Sequence, residues 1–330
     1  MTAQSVLVLG AGSWGSALAL ALTRNQHAVY LWDIDIELIS NIKKDKCNKR
    51  YLPETPLPEN LFPIESIEQA PTDITVVINA VPCHGLRSSL QLLKSFSDIS
   101  LCLACKGFEP GTQKLNHQVV AEELKGCPVA ILSGPSFAKE VAAGLPTAVA
   151  IASEDINSAQ SFSDLFHSEV FRTYTQTDHI GVQIGGAVKN VMAIAAGIAD
   201  GLGFNANTRS ALITRGLNEI MQLGLAMGAQ QETFMGLAGL GDLVLTCTDD
   251  QSRNRRLGLL LAEGLSVEEA SEKIGQAIEG LKTAKEVSEL AKKYNIEMPI
   301  TEQVNQVLSG EIKPENAVQN LLKREPKSET

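Results

Sequence analysis

The chain reads as an α/β protein in two parts, a doubly wound sheet over residues 1–180 and an all-helical domain over residues 181–330. Three observations carry that reading. Short apolar runs bounded by glycine, proline or polar clusters alternate with helical stretches through the first part. After about Asp178 the strand signal stops. From Val182 to Ile198 nearly every residue is apolar or small, the mark of a helix buried on all sides.

A length of 330 residues suits two domains, each large enough to bury its own core. The 28 basic and 38 acidic residues leave a formal charge of −10. That balance argues against wholesale nucleic-acid binding and leaves room for a local basic pocket. The opening MTAQSVLVLG lacks the cationic start and cleavage site of a signal peptide. No apolar run of about 20 residues is free of charge and proline, so no transmembrane helix is expected. Cys47, Cys83, Cys102, Cys105, Cys127 and Cys247 lie in or beside apolar runs, as reduced thiols of a cytoplasmic protein would. Cys102 and Cys105 form a C-x-x-C inside a strand-like run with no second pair, so no metal site is expected.

Ser5–Leu9 is the first strand, and Gly10-Ala11-Gly12-Ser13-Trp14-Gly15 follows it into a helix that runs to Arg24. Ala28–Trp32 is the second strand, with Asp33 directly after it. A glycine motif alone is weak evidence. Set between strand and helix, with an acid about 20 residues on, it reads as a dinucleotide site. Gly10, Gly12 and Gly15 permit the tight turn and the close approach of a pyrophosphate to the helix N-terminus. Asp33 is placed to accept hydrogen bonds from a ribose.

Lys43–Arg50 reads as a solvated helix end rather than a phosphate site, and Tyr51 is placed near the adenosine. Residues 51–63, YLPETPLPENLFP, read as a proline-rich loop without regular structure. Ile74–Ala80, Ser100–Cys105, Val129–Leu132, Thr147–Ala152 and Phe171–Thr175 are the later strands. Lys106 stands just past one carboxyl end, where open sheets bind ligands. His84 has no acidic neighbour and reads as a loop histidine. Ser133–Glu140 opens with small residues that let a ligand approach the backbone, although a plain loop-to-helix entry would look the same.

In the second part, Lys189 and Asn190 interrupt the apolar helix. Lysine is almost never buried without a partner, and desolvation moves a lysine toward the range useful for proton transfer. A lysine snorkelling out of a helix end is the bland alternative. Asp200 is three turns away (~16 Å) and cannot be the partner within the helix. Asp242, set in the glycine-rich GLGD, is the candidate from across the cleft. Further helices are expected at Thr208–Met227, after the capping box Ser266-Val267-Glu268-Glu269, at Thr283–Tyr294 and at Pro314–Lys323. The tail 324–330 is polar and expected to fray. Ser252-Arg253-Asn254-Arg255-Arg256 reads as a phosphate clamp or as a solvated helix face.

Together GAGSWG, CKG, SGPSFAKEVAAGLPTA, GGAVKNVMAIAAGIADGLGFNANTRSALITRGL, GLAGLGDLVLTCT and SRNRR resemble the bacterial NAD(P)-dependent glycerol-3-phosphate dehydrogenases. The motifs occur in order over essentially the whole chain. The resemblance implies a Rossmann-type domain followed by a helical one. It also implies a homodimer and reversible reduction of dihydroxyacetone phosphate to sn-glycerol 3-phosphate with NAD(H) or NADP(H), feeding glycerophospholipid synthesis. It makes Lys189 the proton donor to the C2 alkoxide, with Asp242 holding Lys189 and Lys106 orienting the carbonyl end. Ser13, Trp14, Lys106, Ala138, Arg253 and Glu279 match cofactor-contacting positions. Lys106, Gly134, Ser136, Lys189, Asn190, Asp242, Ser252, Arg253 and Asn254 match substrate-contacting ones. One departure is Ile34, where many members carry Arg or His. A 3-hydroxyacid or ketopantoate-like reductase, and a non-catalytic dinucleotide sensor, share the layout. The first has no use for SRNRR unless its substrate is phosphorylated, and the second has none for Lys106, Lys189 and Asp242.

Overall fold

The computed structural model describes residues 3–325. The chain forms two compact units. One comprises the residues up to Glu109 with Lys114–Gln183; the other comprises Pro110–Gln113 and the residues from Ile184 onward.

The first unit alternates strand and helix: β1 (Ser5–Leu9), α1 (Ser13–Arg24), β2 (Ala28–Trp32), α2 (Ile36–Asp45), β3 (Leu61–Ile64), β4 (Val76–Asn79), α3 (Cys83–Leu92) and β5 (Ser100–Leu103). It continues with α4 (Asn116–Glu123), β6 (Val129–Ser133), α5 (Ala138–Ala143), β7 (Thr147–Ala152), α6 (Ile156–Phe166) and β8 (Phe171–Gln176). The eight strands lie in the order β3-β2-β1-β4-β5-β6-β7-β8. Neighbours run parallel except β6 and β7. The order reverses direction between β1 and β4, so their carboxyl ends open the crevice where such sheets bind ligands. Val6, Leu7, Val8 and Leu9 are fully buried, which is why β1 is apolar without alternation.

Three details go beyond the sequence reading or correct it. Residues 51–63 are not structureless throughout, because Leu61–Ile64 pairs with β2 as an edge strand. Proline is tolerated at an edge, so Pro63 does not exclude a strand there. Strand β7 runs against β6, since the only helix between them, α5, has six residues and does not make a parallel crossover. His84 stands in the first turn of α3, not in a loop.

The helical unit takes most of α7 (His179–Gly201), then α8 (Ala206–Ala226) and α9 (Gln231–Phe234). A single π turn, Leu237–Gly241, runs directly into α10 (Asp242–Thr248). Then come α11 (Arg253–Ala262), α12 (Val267–Ile274), α13 (Glu279–Tyr294), α14 (Pro299–Leu308) and α15 (Pro314–Leu322). The Ser266–Glu269 capping box opens α12 as expected, and Pro314 sits in the first turn of α15. Helix α13 starts at Glu279, ahead of the expected Thr283. Of the tail 324–330, expected to fray, Arg324 pairs with Glu297 at 3.1 Å, and residues 326–330 lie outside the described residues.

By length and composition α7 could cross a bilayer, yet its apolar window is 100% buried within the fold, as in a core helix. It packs backbone to backbone. A Cβ on Gly197 would stand 2.0 Å from the Arg255 carbonyl oxygen, and one on Gly258 2.2 Å from that of Ile194. The crossing of α7 and α11 therefore admits only glycine at those two positions.

Candidate active site

The glycine turn is built by two requirements. Gly10 has φ +99°, and a Cβ there would lie 3.0 Å from the backbone of Ala80 and Val81 at the end of β4. A Cβ on Gly15 would strike the Gly10 carbonyl oxygen at 1.8 Å. Gly12, by contrast, has nothing within 4 Å of its missing Cβ, so the approach to the α1 N-terminus is open. The first turn of α1, with Ser13 and Trp14, contains no acidic residue and no side-chain cap. Open backbone N–H groups at a helix start, with no anion of their own, form a cradle for phosphate.

Asp33 supports that turn from below. Its Oδ2 accepts the Ala11 N–H at 2.6 Å and its Oδ1 accepts the Asp35 N–H at 3.0 Å. Asn48, which the sequence reading passed over, is 3% exposed and donates to both the Ala11 carbonyl and Ser16 Oγ at 2.8 Å. Its Oδ1 accepts the Tyr51 N–H at 3.3 Å, which fixes Tyr51 against the core beneath Arg50. Arg50 itself pairs with Asp35 at 3.1 Å on the surface.

At the carboxyl ends of β5 and β6, Lys106 Nζ donates to the Gly134 carbonyl at 3.1 Å, and Ser136 Oγ donates to the same oxygen at 3.0 Å. Gly134 has φ +147°, and a Cβ there would meet Val149 of β7 at 3.0 Å. Trp14 Nε1 donates to the Ala104 carbonyl at 3.1 Å, tying α1 to the same strand end. Ala138 begins α5, half-buried beside this loop. Glycine turn, Lys106 and Ser133–Ala138 thus belong to one unit and one end of its sheet.

In the helical unit Lys189 is 6% exposed and Asp242 1%. The Lys189 ammonium donates to Asp242 Oδ1 and, at 3.0 Å, to Thr246 Oγ1. Thr246 Oγ1 in turn donates to the Asp242 carbonyl at 2.6 Å. The acid comes from the same unit as the lysine, not from across a cleft. The approach is made possible by Gly185, whose Cβ would lie 2.4 Å from the Ala238 carbonyl in the π turn. A buried carboxylate and a buried ammonium are each costly alone, and removing either strands the other.

A polar chain runs from the neighbouring residue. Asn190 Oδ1 accepts from Asn254 Nδ2 at 2.9 Å, and Asn190 Nδ2 donates to Glu279 Oε2 at 3.3 Å. Asn254 Oδ1 accepts the Gly280 N–H at 3.0 Å. Glu279, which alone reads as a surface helix acid, is half-buried in this network. Ser252 caps α11 by accepting the Arg255 N–H at 3.2 Å. The Arg253 side chain has no hydrogen bond or ion pair among the described residues, while Arg255 is buried and paired. SRNRR is therefore not a uniform charge run.

The family model described as the N-terminus of NAD-dependent glycerol-3-phosphate dehydrogenase matches residues 5–159, and that of its C-terminus matches residues 178–319. A protein of Nitrosococcus oceani named glycerol-3-phosphate dehydrogenase [NAD(P)+] is 54% identical over 98% of this chain and 95% of its own. The chain belongs to the NAD-dependent glycerol-3-phosphate dehydrogenase family. An Escherichia fergusonii protein of the same name is 49% identical over 98% of this chain and 97% of its own. The glycerol-3-phosphate dehydrogenase crystal structure from Coxiella burnetii superposes with a TM-score of 0.94 at 45% identity, covering 98% and 99% of the two chains. The fold of this family member is thus a Rossmann-type sheet with an all-helical C-terminal domain.

The dinucleotide such dehydrogenases use fits the residues present: a helix start free of acidic side chains, an open Gly12 and a turn braced by Asp33 and Asn48. No group of three or more His, Cys, Asp and Glu side chains is placed to hold a metal among the described residues. None of the six cysteines forms a disulfide, and burial pushes the Cys102 thiol up and the Cys247 thiol to about 12, which leaves both protonated and inert. Thr246 and Asn48 were the residues the sequence did not announce. For Thr246 the signal was its place one turn after Asp242 on the same helix face.

Proposed function

We propose that this chain interconverts sn-glycerol 3-phosphate and dihydroxyacetone phosphate in the cytoplasm, supplying the backbone for glycerophospholipid synthesis. The observation that carries the reading is the buried lysine held by a carboxylate and a hydroxyl, linked through Asn190 to the turn that bears the unpaired Arg253. Such a set donates a proton where an alkoxide develops and holds a phosphate a short distance away.

The glycine turn and the N-terminus of α1 would hold the cofactor's pyrophosphate, with Ser13 and Trp14 leading the helix and Asp33 and Tyr51 toward the adenosine. Bound there, NAD(H) or NADP(H) supplies or accepts the hydride. Lys189 gives its proton to the C2 oxygen during reduction and takes one back during oxidation. Asp242 and Thr246 fix the ammonium so that no reorganisation is needed at that moment. Ser252, Arg253 and Asn254 hold the phosphate, and Lys106, Gly134 and Ser136 orient the carbonyl end. The guanidinium of Arg253 suits a dianion, which rejects an unphosphorylated ketone. Ala138 and Glu279 are assigned to cofactor contacts, and Asn190 to the substrate through Asn254.

The active form is proposed to be a homodimer. A groove of about 790 Å³ lies among α7, α8, α14 and α15, lined by apolar side chains including Ile198, Leu212, Ile300 and Leu321. A second copy of the chain would remove that surface from water.

The test is turnover of NADH or NADPH with dihydroxyacetone phosphate, in the unmodified protein and in Lys189→Met. The unmodified protein should turn over, and the variant should lose at least ~100-fold in kcat while NADH titration by fluorescence is little changed. A variant keeping more than about a tenth of kcat removes Lys189 from the proton transfer. An unmodified protein inert toward this substrate with both cofactors overturns the reading.

A further inference from the structure

The first turn of α11 carries the proposed phosphate ligands, but nothing in Ser252–Asn254 alone sets where that turn points. Two ties fix it to α7. One is Asn254 on Asn190, beside the catalytic lysine. The other is Arg255, whose side chain is 10% exposed and whose Nη2 donates to Asp200 Oδ2 at 2.7 Å. Along α7 the Gly197–Gly258 crossing, where the two helix backbones touch, lies between Asn190 and Asp200, whereas along α11 both ties precede it. A contact that close acts as a pivot, and two ties that reach α7 on opposite sides of it hold the start of α11 against rotation.

Arg255 is poorly explained as a stabilising ion pair. Its other guanidinium nitrogen Nη1 pairs with Asp250, which is 81% exposed, and its Nε is buried with no hydrogen-bond partner. Asp200 does not need Arg255 for neutralisation, because Arg209 Nη1 already reaches both of its oxygens at 2.9 and 2.8 Å. What Arg255 does uniquely is span the turn. It joins Asp250, just before the cap residue Ser252, to Asp200 at the far end of α7. A fork with donors in fixed directions can make both contacts at once; a point charge cannot.

We propose that the Asp200–Arg255–Asp250 bridge is a positioning device, which aims Arg253 and Asn254 at the substrate phosphate by locking the 249–255 turn to the catalytic helix. Arg255 touches no substrate in this scheme. The inference rests on the reading of Ser252–Asn254 as the phosphate-holding turn.

The experiment compares Arg255→Met and Arg255→Lys with the unmodified protein, using dihydroxyacetone phosphate and unphosphorylated dihydroxyacetone with saturating NADH. With Arg255→Met, KM for the phosphorylated ketone should rise at least ~10-fold, kcat should stay within ~3-fold, and kcat/KM for dihydroxyacetone should hardly move. Arg255→Lys keeps a charge beside Asp200 but loses the second contact, so its KM should fall between the other two. NADH affinity by fluorescence, unchanged in both, shows that the fold is intact. Equal losses toward both ketones, or an unchanged KM for the phosphorylated one, overturn the positioning role. If Arg255→Met does not fold, the Arg255→Lys pattern decides by the same criteria. Failure of the functional reading looks different, because the unmodified protein would then not turn over dihydroxyacetone phosphate at all.

Discussion

Asp33 shows what a single residue's position reveals and what it hides. The sequence singles out the carboxylate after the second strand as a candidate ribose acceptor. That both its oxygens brace the backbone, at Ala11 and Asp35, was not legible, because main-chain partners leave no pattern in side chains. The same holds for Thr246: a threonine inside a helix has an ordinary meaning until its hydroxyl is seen between Lys189 and Asp242. Lys189 itself was legible because a lone charge in an apolar run demands an explanation. The doubled duty of Asp33 bears on cofactor choice. Its charge repels a 2′-phosphate, and Ile34 beside it, 82% exposed, offers no cation in return. Arg50, the nearby cation, is engaged by Asp35. NADH should therefore serve at least as well as NADPH. Ile34→Arg, which leaves the Asp33 brace in place, should raise the NADPH:NADH ratio of kcat/KM at least ~5-fold, as one charge-assisted hydrogen bond allows. A ratio that does not rise shows that residue 34 does not face the 2′ position.

At the scale of elements, the strands with clean flanks were readable almost to the residue, Thr147–Ala152 among them. Strand β3 was not, because two of the signals that mark loops, proline and a polar approach, are also tolerated at a sheet edge. Helix α14 was missed as well. Its start depends on a residue 81 positions away: Glu219 of α8 accepts the Ile300 and Thr301 N–H groups at 2.7 and 3.1 Å, and Thr301 Oγ1 at 3.0 Å. No local window contains that cap. Burial pushes the Glu219 carboxyl up to about 7, against the hydrogen bonds that favour its charged form. A carboxyl whose pKa is raised on folding contributes its stability below the unfolded value of 4.5 and loses it as pH rises through about 7. Thermal unfolding of the unmodified protein should thus show a loss on the order of 3 kcal/mol between about pH 4.5 and pH 8 that Glu219→Gln lacks. Parallel pH profiles for the two proteins would show that Glu219 stays charged throughout.

For the molecule as a whole, the order of motifs was enough to place the chain in its family, and the alternation of runs was enough to divide sheet from helices. Assembly was not legible, since an apolar helix face reads alike whether it meets a neighbour in the chain or in another copy. Helices α8 and α15 present such a face, with Leu322 70% exposed at the end of α15. The proposed dimer predicts a mass in solution of about twice 35.4 kDa by light scattering. Leu322→Asp should shift that mass toward the monomer and leave helical content unchanged, since the side chain supports little within its own chain. A monomeric unmodified protein would leave the groove without a second copy to cover it.

The π turn at Leu237–Gly241, closed by the Gly241 N–H on the Gly236 carbonyl at 3.1 Å, holds one residue more than an α turn in the same rise. The surplus residue is taken up within the turn, so α10 leaves it at nearly the azimuth that an α turn one residue shorter would give. Asp242 is the first residue beyond it. What the wide turn demands is room beside it: the Ala238 carbonyl reaches to 2.4 Å from where a Cβ on Gly185 would stand. The girth of the turn and the bareness of that glycine are thus a matched pair, and a side chain at position 185 would push the turn, and Asp242 with it, away from Lys189.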